Sequence, residues 1–261
     1  MASVARRIIN WAAAFEDGAI IRAAFFGLLT ATAVILYLDY TELSGQQPAA
    51  SPSESTPILP AFDPDRPGGG MPGPAVTTPM DVLRAPLEVK LGSGGVLNVT
   101  GTILPGSAVS FAAEIESYAE YIKSIRLNSP GGSVSDALAM GRLIREKGLT
   151  TEVGGGEMCA SSCPLVFAGG KERLAAADAV IAVHQIYAAT PAGTSVSDRL
   201  AAAGSAMRDA QSMTADISRY LIEMGIDPEV WLRALETPPD QLSYFTSDDL
   251  TRLKLATRLT T

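Results

Sequence analysis

Residues 23–38, AAFFGLLTATAVILYL, contain no charged side chain, and Ile20 and Ile21 extend the apolar run across Arg22. A helix of about twenty such residues, rising about 1.5 Å per residue, spans the hydrocarbon core of a bilayer. A buried helix of a soluble domain needs a domain around it. The next stretch of chain is instead LSGQQPAASPSESTPILPAFDPDRPGGGMPGPAVTTPM, residues 43–80, rich in Pro, Gly, Ser and Thr and without a period of 2 or 3.6. Such a stretch cannot bury enough apolar surface to offset its chain entropy, so it reads as a disordered, flexible tether. The chain is thereby divided before any fold is considered. Residues 1–19 are an N-terminal segment, 20–40 a transmembrane helix, 41–81 a linker and 82–261 a folded domain of ordinary size.

Charge sets the orientation. Arg6, Arg7 and Arg22 lie on the N-terminal side of the apolar run, and Asp39 and Glu42 come after it. By the positive-inside rule the N-terminus stays in the cytoplasm and the rest is exported. The expected location is the inner (cytoplasmic) membrane, single-pass, with the C-terminal domain extracytoplasmic, in the periplasm. A cleaved signal peptide needs small residues just past the apolar run, and LYLDYTEL supplies none, so an uncleaved anchor is expected. The formal net charge is −8 and no basic run is longer than Arg6–Arg7. Both argue against a nucleic-acid partner, because phosphate binding needs clustered Lys and Arg.

In the folded part, PLEVKLG and VLNVTGTI read as strands joined at SGG. Helical spacing covers 106–122 and 133–148, with Gly148 as a C-cap, and a short apolar strand, SIRLNSP, lies between them. TTEVGG and AVIAVHQIYA are further strands, and SCPLVFAGG is a short helix with Pro164 at an early position. A long helix covers 197–225, and two short ones begin near Asp227 and Thr246, which serve as caps. Strands alternating with helices imply an α/β layer structure with parallel strands.

Four features carry chemistry. NSPGGSV, residues 128–134, lies between a strand and a helix; Gly131 and Gly132 permit positive φ and leave backbone N–H groups near a helix N-terminus to hold an anion. Ser161, in CASSC, sits at a strand-to-helix turn, as an N-cap or as a nucleophile. His184 is the one histidine in the chain, so any histidine base must be this one. Asp240, Asp248 and Asp249 supply carboxylates near the C-terminus, for orienting an imidazole or for capping a helix.

In this order the features resemble the Clp protease proteolytic subunit and, more loosely, signal peptide peptidase A, both of the Clp/crotonase fold. The resemblance covers roughly residues 85–255, and its specific part is 124–186. It implies a mixed, mostly parallel set of sheet layers flanked by helices and a serine peptidase acting on peptides or unfolded protein, without cofactor or metal. SPGG corresponds to the family's substrate-binding turn, Ser129, Gly131 and Gly132. Counted from Ser129 without a gap, the nucleophile falls on Ser161, and Gly170 also stays in register; Ser162 would need an insertion. His184 matches the family's histidine, with about two residues deleted before it. The backbone N–H groups of Gly132 and Ser162 become the oxyanion hole. The family's aspartate position falls on Leu242, two residues after Asp240, leaving a triad through a loop shift or a Ser–His dyad. Signal peptide peptidase A uses a lysine base, and here Lys171 lies just past FAGG. A helix corresponding to 197–225 makes subunit contacts in relatives, which implies a homo-oligomer.

Cys159 and Cys163, the only cysteines, flank the two serines. They form either a disulfide or two buried thiols; the spacing is poor for a structural zinc site. Two other functional readings share the fold: an enzyme handling acyl-coenzyme A, and a non-catalytic scaffold or partner-binding module at the membrane.

Overall fold

The computed structural model describes residues 17–45, 59, 61–62, 73–186 and 196–260. The chain divides into two compact units, Met1–Thr56 and Pro57–Thr261. In the first, among the described residues, the helix α1 (Asp17–Gly45) holds Ile21–Leu38, a stretch with mean hydropathy 1.9 and every side chain exposed. A helix apolar on all sides suits hydrocarbon rather than a protein surface. Thr30 donates its hydroxyl to the Phe26 carbonyl, 2.7 Å away, so that donor needs no water. This helix is long and apolar enough to cross a membrane. Arg6 and Arg7 lie outside the described residues.

The second unit is α/β, with a mixed, mostly parallel sheet flanked by helices. A hairpin of β1 (Glu88–Leu91) and β2 (Val96–Thr100) turns through Ser93–Gly95, where Gly94 and Gly95 both take positive φ. From β2 onward the pairing is parallel: β3 (Ser124–Asn128), β4 (Thr150–Val153), β6 (Arg173–Ala176) and β9 (Arg258–Thr260). The order is β1-β2-β3-β4-β6-β9. A smaller sheet joins β5 (Met158–Ala160), β7 (Val180–Val183) and β8 (Ser243–Tyr244), in the order β5-β7-β8. All residues of β5 and β7 are buried, as expected for strands covered on both faces.

Helices α3 (Ser107–Ser117) and α4 (Val134–Glu146) send Phe111, Ile115 and Ile144 into the core beside Ile125, Leu127 and Ile181. Helix α5 (Cys163–Ala168) is buried throughout. Its last carbonyls lack helical partners, and Arg145 of α4 supplies donors to Ala168, Gly169 and Gly170 at 3.0–3.1 Å. The long helix α6 (Val196–Met224) is divided in character: Ile217, Tyr220 and Leu221 are core, whereas Met207 is 67% exposed. Helices α7 (Glu229–Glu236) and α8 (Ser247–Arg252) are joined by a bidentate pair between Arg233 and Asp249, at 2.9 and 2.8 Å.

Several elements leave no periodic signal in the sequence. β5, β6, β8 and β9 have two to four residues each, too short for a period to register. The linker also ends earlier than composition implied. A short helix, α2 (Met80–Arg84), places Leu83 fully out of water against Met158, Ala160, Ala182 and Leu242, with Val76 and Met80 alongside. Thr77 donates its N–H to the Gly156 carbonyl (2.9 Å), and Asn128 donates its amide to the Thr78 hydroxyl (2.7 Å). Further back, Ala61 bridges Leu242, and Tyr244 donates its hydroxyl to the Leu59 carbonyl. The folded unit thus includes residues that composition assigned to the tether, because a few apolar side chains among prolines suffice to cover one face of a small sheet.

Leu83→Ala is expected to destabilise the domain by about 2–5 kcal/mol, the cost of an apolar cavity. Chemical denaturation of the full chain, followed by tryptophan fluorescence, measures it.

Candidate active site

The small sheet brings the Ser161 and His184 side chains together. β5 and β7 run parallel with Ala160 opposite Ala182, so their C-terminal ends emerge side by side. Ser161 comes directly after β5 and donates its backbone N–H to the Ala182 carbonyl at 3.0 Å. His184 comes directly after β7. The Ser161 Oγ lies 2.8 Å from His184 Nε2.

Ser161 adopts φ of +60°, in the left-handed region. For a residue with a Cβ this costs about 1–2 kcal/mol, and such strain at a strand-to-helix turn turns the side chain outward. Three constraints hold the turn. Helix α5 starts at once behind it, with Pro164 in its first turn where the missing N–H costs nothing. Cys159 and Cys163 form a disulfide across it, with Cα atoms 5.1 Å apart and both residues fully buried. The glycine turn presses against it: a Cβ at Gly131 would lie 2.7 Å from both Ser161 Cβ and Ser162 N. The disulfide resolves the choice left open by the spacing.

The glycine turn is itself fixed on both sides. Ser129 pairs with β5 through its N–H to the Met158 carbonyl (2.6 Å) and its carbonyl from the Ala160 N–H (3.0 Å). On the other side the Ile103 N–H donates to the Gly131 carbonyl and the Ser133 N–H to the Ile103 carbonyl. In extended chain the groups of successive residues point to opposite sides. Gly131 thus spends its carbonyl and Ser133 its N–H on Ile103, while the Gly131 N–H turns to the Ser129 hydroxyl. The N–H groups of Gly132 and Ser162 have no acceptor among the described residues.

Ser129 is 1% exposed, and its hydroxyl accepts from the Gly131 N–H at 3.1 Å, so its side chain shapes the turn. Asp136, in the first turn of α4, accepts from the N–H groups of Gly106 and Ala108 at the N-terminus of α3 and from the Ser133 hydroxyl. Burial alone would raise its carboxyl, but these hydrogen bonds outweigh it and hold the group below its ordinary value.

The structure corrects one expectation: Asp240 is exposed, and His184 Nδ1 lies 2.9 Å from the carbonyl oxygen of Pro239 instead. The Pro238–Gln241 turn, closed by the Gln241 N–H on the Pro238 carbonyl, aims that oxygen. A backbone acceptor one residue away is invisible to a search by residue type; the Pro-Pro-Asp turn is its only trace in the sequence. Asp249 fulfils the capping alternative: it forms a capping box with Thr246, and the Arg233 guanidinium holds its carboxyl well below the usual carboxylate range. Lys171 is exposed and makes none of these contacts. The loop 187–195 lies outside the described residues.

A carbonyl can only accept, so Nδ1 carries the proton. In the neutral ring Nε2 is then a lone pair, and the Ser161 hydroxyl donates to it. Burial lowers the imidazole below its ordinary value, and the Pro239 hydrogen bond opposes this only in part. The ring is thus held as a neutral base. Ser162 is 2% exposed, and its hydroxyl has no hydrogen-bond partner among the described residues; of the two adjacent serines only Ser161 offers its Oγ to the base. Among the described residues no three His, Cys, Asp or Glu side chains converge as metal ligands. Compared with known proteins, the chain matches no family model and no curated protein.

Replacing both cysteines by alanine is expected to cost about 2 kcal/mol, the loop-closure value for so short a ring. Equilibrium unfolding of the double variant against the oxidised chain reads this directly.

Proposed function

We propose that this chain is a membrane-anchored serine endopeptidase of the Clp/crotonase fold, hydrolysing peptide bonds in peptides or unstructured protein segments outside the cytoplasm. The observation that carries the reading is the 2.8 Å contact between Ser161 Oγ and the unprotonated Nε2 of a half-buried, neutral histidine. A non-catalytic scaffold has no need of a serine in a strained conformation aimed at a base. An acyl-coenzyme A enzyme requires a cytosolic cofactor supply, against which the expected export argues. The disulfide accords with an oxidising compartment such as the periplasm, and Ile21–Leu38 with a single inner-membrane anchor.

The chemistry derives from the contacts. His184 Nε2 takes the Ser161 proton as Oγ bonds to a peptide carbonyl carbon. The resulting oxyanion is held by the N–H groups of Gly132 and Ser162. Nε2–H then protonates the leaving amine as the C–N bond breaks, giving an acyl-enzyme. Water, deprotonated by the same nitrogen, attacks it and restores Ser161. The carbonyl dipole of Pro239 stabilises the transient imidazolium where a triad would use a carboxylate. The free edge of Gly132 offers main-chain groups to an extended peptide, added as a strand. The exposed part of α6 is the surface offered for homo-oligomer formation.

A fluorophosphonate probe on the detergent-solubilised full chain is expected to label Ser161, as mapped by mass spectrometry. Ser161→Ala and His184→Ala should abolish the adduct, whereas Ser162→Ala should retain most of it, because the backbone N–H survives. A folded wild-type chain that takes up no probe would overturn the peptidase reading.

The lowered imidazole sets the pH dependence. Protonation removes the base, so labelling should fall with acid. Its midpoint should lie below 6.5, the ordinary imidazole value, because the folded environment disfavours the cation. A rate profile across the acid range, with its midpoint at or above that value, would contradict the site described.

A further inference from the structure

A dyad without a carboxylate still has to hold its imidazole in one tautomer, and the acceptor that does so is a main-chain oxygen in a turn. We infer that Gln185 and Thr237 are positioning residues that hold the Pro239 carbonyl against His184 Nδ1; the inference deepens the peptidase reading and rests on it for its functional consequence.

Gln185 is the residue after His184 and donates twice to the segment that leads into the turn. Its backbone N–H reaches the Thr237 carbonyl at 2.9 Å, and its side-chain Nε2 reaches the Leu235 carbonyl at 2.6 Å. Thr237 is buried and donates its hydroxyl to the Arg233 carbonyl at 2.6 Å, closing the end of α7. Residues 235–237 are therefore tied to the residue beside the base, and Pro238 and Pro239 carry that placement forward through backbones of fixed φ. In a turn closed between Pro238 and Gln241 the carbonyl of the second residue is not used by the turn, which leaves the Pro239 oxygen free to accept from the ring. Gln185 and its two acceptors thus fix the distance between β7 and the acceptor loop at the level of the imidazole. Without the side-chain donor, one of these two ties is lost and the oxygen is free to move away from Nδ1.

The chain has a single histidine, so selective ¹⁵N-histidine labelling of the full chain in detergent gives one imidazole and reports its tautomer directly. At a pH where the ring is neutral, the wild type is expected to show a protonated Nδ1 and a bare Nε2. Gln185→Met keeps the volume and removes the donor. It is expected to move the population toward the Nε2-protonated tautomer and to slow fluorophosphonate labelling of Ser161 by about tenfold or more, part of the contribution of an oriented base. Thr237→Val should act in the same direction. A folded Gln185→Met chain, with its melting temperature near that of the wild type and its histidine tautomer and labelling rate unchanged, would refute the assignment. If that variant fails to fold, the same unchanged signature in Thr237→Val refutes it. The two failures are separable. A wild type with protonated Nδ1 that takes no probe sinks the peptidase reading and leaves the positioning intact. A labelled wild type whose variants keep its tautomer does the reverse.

Discussion

The parallel pairing of β5 with β7 is the contact on which the site depends. It sets Ala160 opposite Ala182 and lets the Ser161 N–H reach the Ala182 carbonyl. Both strands therefore end at the same level, and the residues just past them, Ser161 and His184, meet at 2.8 Å. A slip of one residue would turn every side chain of one strand to the other face. The register is protected because all seven residues of the two strands are buried, three in β5 and four in β7, so that a slip would also rebuild the core on both sides.

Around that pairing, most of the geometry is made by main-chain groups. The glycine turn is pinned by Ser129 to β5 and by Ile103 on its outer side. The candidate oxyanion donors are two N–H groups, and the acceptor on the imidazole is a carbonyl. Main-chain groups can be placed only by what surrounds them, which explains the supporting arrangement. Arg145 closes α5, the Arg233–Asp249 pair holds α7 to α8, and the Cys159–Cys163 bridge spans the strained serine. A carboxylate would give the imidazolium a full counter-charge. A carbonyl gives it only a dipole, which offsets burial in part, and burial holds the ring below its ordinary value.

The outer face of the same sheet is covered by Val76, Met80 and Leu83. Val76 and Met80, which look like the end of a tether, thus join Leu83 in covering the strands that lead to Ser161 and His184, and Ala61 adds a bridge at the β8 edge. The segment leading from the first unit into the second is therefore partly built into the layer that carries the site.

The sequence alone was enough for those features that depend on local chemistry. An uncharged run of apolar residues with prolines behind it marks off a helix long and apolar enough to cross a membrane. Gly131 and Gly132 mark a turn that only glycine accommodates, and a lone histidine leaves one choice of base. Alternating strand and helix patterns give an α/β architecture with parallel strands. Other features needed the tertiary structure. Whether Cys159 and Cys163 bond depends on side-chain direction, which spacing does not fix. The short strands β5, β6, β8 and β9 exist because neighbours pair with them, not because their own residues favour extension. Asp240 was the natural carboxylate to choose by residue type, yet the acceptor is the preceding residue's carbonyl, a group every position carries. Residue identity determines what a side chain can do, whereas the aim of a backbone oxygen is a property of the turn, and long-range packing by Gln185, Thr237 and the helices behind them decides it.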